Sequence, residues 1–155
     1  MNGSAHHVWI DHCLIMDGTD GNLDITNGAD FVTISWTKFH YSGRRAHQFC
    51  NLIGHDDNNG AEDTGHLNVT FHHVWWADNV NQRMPRVRFG KVHVFNSLYT
   101  AAGDSAHRPL PVDRAHAGAR IEFLVGEQRL HGDVGAAGTN REGDGILDAC
   151  PRRSP

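Results

Sequence analysis

Four eight-residue segments of this chain align without gaps: VWIDHCLI from Val8, VTISWTKF from Val32, VTFHHVWW from Val69 and VHVFNSLY from Val92. Each opens on Val. The third position is Ile10, Ile34, Phe71 or Val94, and the eighth is Ile15, Phe39, Trp76 or Tyr99. The first three positions alternate with the period of two that a strand requires. The starts lie 24, 37 and 23 residues apart, which gives a unit in the range of solenoid repeats. The segments are short, β-branched and aromatic, and Gly or Asn-Gly clusters punctuate them, so helix is a poor reading. Stacking such units about 4.8 Å apart would align identical positions into interior ladders, such as Val8, Val32, Val69 and Val92. An antiparallel sandwich also explains the alternation, but not the matched spacing. The expected fold is therefore an all-β parallel solenoid.

The spacing of 37 is one unit plus an insertion within Ser42–Gly65, a stretch rich in Asn, Asp, Gly and His. Insertions in solenoids become loops on one face, often the binding face. Each coil needs neighbours to bury its faces. Only seven residues precede the first repeat, so an incomplete solenoid of about four coils is expected. Residues 1–103 form the expected repeat region. Residues 104–155 read as an atypical segment, either a loosely ordered extension or the product of a shifted reading frame. Within it Ile121, Phe123 and Val125 alternate, but out of step with the repeat. GDGILDAC near the end has too few ligands for an EF-hand.

The chain's 155 residues suit one domain. The formal net charge of −4 carries no basic excess for a nucleic-acid partner, and no window is long and apolar enough to be a membrane-spanning helix. Cys13, Cys50 and Cys150 make no disulfide framework and no CxxC spacing. The thirteen histidines lack the ligand spacing of a zinc site.

Three motifs carry a resemblance: VWIDH at 8–12, NLIGHDD at 51–57 and QRMPRVRFGKVHVFN at 82–96. Together, over residues 1 to about 103, they resemble the pectate lyase family of polysaccharide lyases. The resemblance implies a right-handed parallel β-helix, in agreement with the repeat. It implies calcium-dependent cleavage of (1,4)-α-D-galacturonan, the polygalacturonate of pectin, by β-elimination. An extracellular monomer is the setting it suggests. Pectin lyase action on methyl-esterified substrate, or an inactive truncated β-helix that only binds pectin, are the alternatives. A polygalacturonase would need an acid cluster, which Asp56 and Asp57 alone do not make.

β-Elimination on a uronate removes the proton at C5 and expels the oxygen at C4. A cation on the adjacent carboxylate makes that proton acidic, a positioned base takes it, and further cations hold the polyanion and the developing enolate. By resemblance Arg83, which opens R-x-P-x-x-R, is the base, and Arg88, which closes it, binds substrate. Pro85 between them would set the backbone, since proline fixes φ. Asp20 and Asp24 in DGNLD match calcium-binding acids. The family often carries a lysine where Phe49 stands here, and Arg44, Arg45 or His47 of the same loop could supply that charge. Asp11 and His12 should point to opposite faces of a strand and are expected to be structural, within a hydrogen-bonded ladder. Asn96 is expected in a stacked interior amide position. Trp75 and Trp76 are expected to serve in core and surface packing rather than as sugar platforms.

Overall fold

A computed structural model describes residues 1–100 throughout and, beyond them, the backbone of 120–123 and 129–130. The elements run β1 His6–Asp11, β2 Leu14–Met16, β3 Asp30–Ser35, β4 Lys38–His40, β5 Leu52–Ile53, α1 Gly60–Asp63, β6 Asn68–His72, β7 Trp75–Trp76, β8 Arg86–Val87, β9 Lys91–Phe95, β10 Leu98–Tyr99, β11 Arg120–Phe123 and β12 Arg129–Leu130. All strand pairs are parallel. One sheet has the order β1-β3-β6-β9-β11, a second β12-β10-β7-β4-β2, and a third pairs β5 with β8. The chain thus visits the first, second and third sheets in turn and returns one layer on, a β-helix-like arrangement.

The ungapped alignment of the repeats is the register of the sheets. Val8 pairs with Val32, Val32 with Val69 and Val69 with Val92. Ile10, Ile34, Phe71 and Val94 form the adjacent column. In the second sheet Ile15, Phe39, Trp76 and Tyr99 align. Rings stack along that column: the Phe39 and Trp76 centroids are 6.4 Å apart, and Trp76 and Tyr99 are 4.6 Å apart. Phe39 and Trp76 are fully buried. Each such side chain removed from water contributes roughly 1.5–3 kcal/mol. A one-residue slip would turn every column outward, so the apolar ladders also hold the register.

Between the first two sheets the chain turns through a left-handed residue at the same repeat position each time: His12 (φ 50°), Trp36 (φ 46°), His73 (φ 54°) and Asn96 (φ 47°). The parallel ladder runs through these turns, with Trp36 N–H on the His72 carbonyl and His73 N–H on that of Phe95. Asparagine and histidine adopt this conformation more often than most residues, whereas a bulky tryptophan rarely does. Here the rings compensate by stacking outside, His12 on Trp36 at 5.9 Å and Trp36 on His73 at 4.2 Å between centroids. Asn96 is therefore exposed at a turn, not in the interior as expected; its sequence position marks a change of backbone direction, where alternation stops. Trp75 is part-exposed with Lys38 Nζ 4.1 Å above its ring, and Trp76 is core.

Asp11 and His12 also depart from expectation. β1 ends at Asp11, and the left-handed His12 brings both side chains to one side, with Nδ1 2.6 Å from Asp11 Oδ2. Asp11 Oδ1 accepts the Ser35 hydroxyl in a very short hydrogen bond, and Ser35 Oγ accepts Trp9 Nε1–H at 2.8 Å. The Ser35 hydroxyl, then His12, hold the Asp11 carboxyl below its ordinary range. The pair does join neighbouring coils.

The insertion in the second unit is not one loop. It adds residues on both sides of β5: the segment from Tyr41 to Asn51 precedes it, and α1 follows it. Past the repeats, Ile121 pairs with Val92 and Phe123 with Val94. Their alternation falls in register despite the longer spacing, because register is set by strand pairing and the connecting segment is free in length. Val125, the 103/104 boundary and GDGILDAC lie outside the described residues.

Candidate active site

The third side of the coil gathers the motifs. DGNLDI, FCNLIG and QRMPRVR lie side by side: Ile25 bridges Ile53, Ile53 pairs with Val87, Leu52 with Arg86, and Phe49 bridges Gln82. Two-residue strands cannot hold themselves, and side chains do much of the tying. Asn51, fully buried, donates its amide to the Leu23 carbonyl at 3.1 Å and accepts Trp76 Nε1–H at 2.7 Å. Its backbone N–H meets the Arg83 carbonyl at 2.6 Å, and its carbonyl accepts Arg86 N–H at 3.0 Å. Asn51 therefore fills the interior amide role that the sequence suggested for Asn96. Tyr41, also fully buried, donates to the Phe49 carbonyl at 2.6 Å, with the Gly18 carbonyl 3.1 Å away. Burial pushes its hydroxyl up to about 12, so it remains a donor at ordinary pH.

Arg83, in the loop before β8, has a left-handed backbone (φ 61°). Its Nη1–H donates to the Asp20 carbonyl at 3.2 Å, and the guanidinium carbon sits 4.4 Å above the centre of the Phe49 ring. His47 Nδ1 lies 3.3 Å from Asp20 Oδ1, and its ring centroid is 5.0 Å from that of Phe49. Asp24 Oδ1 accepts Leu52 N–H at 2.9 Å. Burial pushes the Asp24 carboxyl up, against the pull of Leu52 N–H and the charge of Arg83; the charge of Asp20 adds to the rise. Asp20, Asp24, His47 and Arg83 therefore share one locus, and Phe49 is part of it.

Arg45 and Arg88 are held elsewhere on the same side. Arg45 Nε is 3.3 Å from Asp17 Oδ1. Asp17 also accepts the Ser42 N–H at 3.0 Å and hydroxyl at 2.8 Å, which keep its carboxyl below the ordinary range. Arg88 Nε–H donates to Asp57, and its Nη1–H to the Gly54 carbonyl at 3.1 Å. Pro85 is buried and follows a cis peptide from Met84. One glycine is required here: a Cβ on Gly54 (φ +76°) would come within 2.6 Å of the Arg88 carbonyl oxygen. Asn51, Asp17 and Tyr41 were missed from the sequence. Only Asn51, at the head of NLIGHDD, carried a signal there.

Asp20 and Asp24 are the residues that could face a cation. They are near enough for one charge to raise the other's pKa, and carboxylate oxygens are what Ca²⁺ prefers. Among the described residues no three His, Cys, Asp or Glu side chains converge as a metal site. The two carboxylates supply oxygens of the kind Ca²⁺ takes, but fewer than the roughly six to eight it needs.

Comparison with known proteins now decides the family. The family model described as pectate lyase matches residues 1–109. The chain belongs to the pectate lyase family. It is 43% identical over 122 residues to pectate lyase E of Dickeya chrysanthemi, covering 68% of this chain and 28% of that protein. It is 44% identical over 107 residues to pectate lyase A of Aspergillus niger, covering 64% and 31%. Among solved structures, the thermostable pectate lyase PL 47 superposes with a TM-score of 0.65 at 32% identity, over 83% of this chain and 33% of that one. The chain spans less than a third of the length of these curated relatives. On the third side NLIGHDD and RMPRVRF, apart in sequence, meet at Gly54 and Arg88.

Proposed function

We propose that this chain carries the catalytic side of a calcium-dependent pectate lyase, cleaving (1,4)-α-D-galacturonan by β-elimination. The observation that supports the reading most directly is the convergence of Arg83 on Asp20 and Asp24, from segments about 60 residues apart in the chain. Arg83 is the base for the C5 proton. A protonated guanidinium has no acceptor, so as base Arg83 acts in its neutral form, taking the C5 proton as the C4–O bond breaks and the C4–C5 double bond forms. Ca²⁺ held by Asp20 and Asp24 with the substrate's carboxylate would neutralise that carboxylate and acidify the C5 proton. Arg88, Arg45 and His47 line the same side of the coil and would bind uronate carboxylates, Arg by paired N–H donors. Members of the family are typically secreted, and extracellular action as a monomer belongs to the same proposal.

The test is ultraviolet absorbance of product from polygalacturonate, with calcium and with a chelator. Elimination leaves an absorbing unsaturated bond; hydrolysis does not. A signal that calcium raises and chelator removes is expected. Signal indifferent to chelator on methyl-esterified pectin would favour the pectin lyase reading. No signal from folded protein would overturn catalysis by this chain.

A further inference from the structure

Around the guanidinium of Arg83 four residues close a circuit of contacts. Arg83 donates to the Asp20 carbonyl at 3.2 Å. The Asp20 carboxylate meets the His47 ring at 3.3 Å. His47 leans on Phe49 with 5.0 Å between centroids and 31° between planes, and Phe49 lies 4.4 Å beneath Arg83. The four come from three separate loops. Phe49 is the member whose backbone is most firmly held: it bridges Gln82, beside Arg83, and its carbonyl takes the buried Tyr41 hydroxyl at 2.6 Å. A long flexible arginine loses much rotamer freedom when ordered. A flat ring beneath a planar guanidinium restricts it through cation–π attraction and contact.

We propose that Phe49 is a positioning residue for Arg83, setting the guanidinium in the plane from which it reaches substrate, with the His47 ring packed against Phe49. This rests on the lyase reading above. Phe49 takes no part in proton transfer and need not touch the sugar. Displacing a reacting group by about an ångström can cost on the order of a hundredfold in rate, so the effect belongs in kcat.

The experiment compares Phe49→Leu and Phe49→Tyr with the wild-type chain on polygalacturonate with calcium. Phe49→Leu keeps apolar bulk but removes the ring; a fall in kcat of about ten- to a hundredfold with KM within about threefold is expected. Phe49→Tyr keeps the ring face and should retain most turnover. Equal kcat in Phe49→Leu and wild type overturns the positioning role alone, and a wild type without product overturns the lyase reading and this one with it. Nuclear magnetic resonance of the Arg83 Nε–H, assigned with Arg83→Lys, reads the contact apart from activity. A ring-current displacement lost in Phe49→Leu and kept in Phe49→Tyr is expected. A resonance identical in all three chains overturns the stacking.

Discussion

The two long walls of the molecule and its third side are built differently. In the walls, columns such as Val8-Val32-Val69-Val92 repeat one apolar residue layer after layer, and strands of up to six residues pair in register. On the third side the strands have two residues, the apolar column shortens to Ile25-Ile53-Val87, and buried or part-buried polar side chains make the links: Asn51 to Leu23 and Trp76, Asp24 to Leu52, Tyr41 to Phe49. The walls gain stability from repetition, which a site cannot use. A site needs a different residue in each layer, and the third side obtains this by giving up ladder length and replacing it with directed hydrogen bonds.

That contrast can be broken at either end. The largest effect is expected at the site: Arg83→Lys should lower kcat by about two to four orders of magnitude, the range of a general base, with thermal unfolding and polygalacturonate binding nearly unchanged. Near-normal turnover would remove Arg83 from the base role. In the walls, Phe71→Ala should destabilise by about 3–5 kcal/mol, the range for a fully buried phenyl, seen in denaturant unfolding; a loss below 1 kcal/mol would mean the column is not the source of stability. Asn51→Ala joins the two regions. It leaves Trp76 Nε1–H and the Leu23 carbonyl without partners, at roughly 1–3 kcal/mol, and it should lower turnover through the loosened Arg83 backbone. Loss of stability with turnover intact would separate the third side from the site.

The smallest effect concerns Asp11, whose carboxyl is held below its ordinary 3.8 first by Ser35. A lowered pKa contributes stability that is present above 3.8 and lost as pH falls through the lowered value. Asp11→Asn should therefore flatten the acid side of a stability-versus-pH curve and leave the neutral side nearly level. An unchanged acid limb would assign the loss to other carboxylates.

The walls were legible because burial on stacked strands selects residue type at a fixed period. Ile34 and Phe71 could be matched from their places in the repeat, and the match proved to be the pairing. The site's polar members were legible only through motifs. Asp20, Asp24, His47 and Arg83 do meet, but the pairings Arg45 with Asp17 and Arg88 with Asp57 had no mark in the spacing. Asp11 and His12 misled because alternation was carried one residue past the strand's end. Asn96 misled because an asparagine suits both an interior amide and a left-handed turn, and only backbone dihedrals tell them apart.

The amino-acid order alone determined the register of the four repeated segments, since a periodic pattern of apolar side chains has one stacking that buries them all; that β11 joins the same wall came only from strand pairing. It could not determine that Asn51 would be the interior amide, that Trp36 and His73 would hold a left-handed backbone by stacking outside it, or that Phe49 would lie beneath Arg83. Those depend on how separate loops approach one another. That approach follows from coil stacking and buried hydrogen bonds, neither of which leaves a period in the sequence.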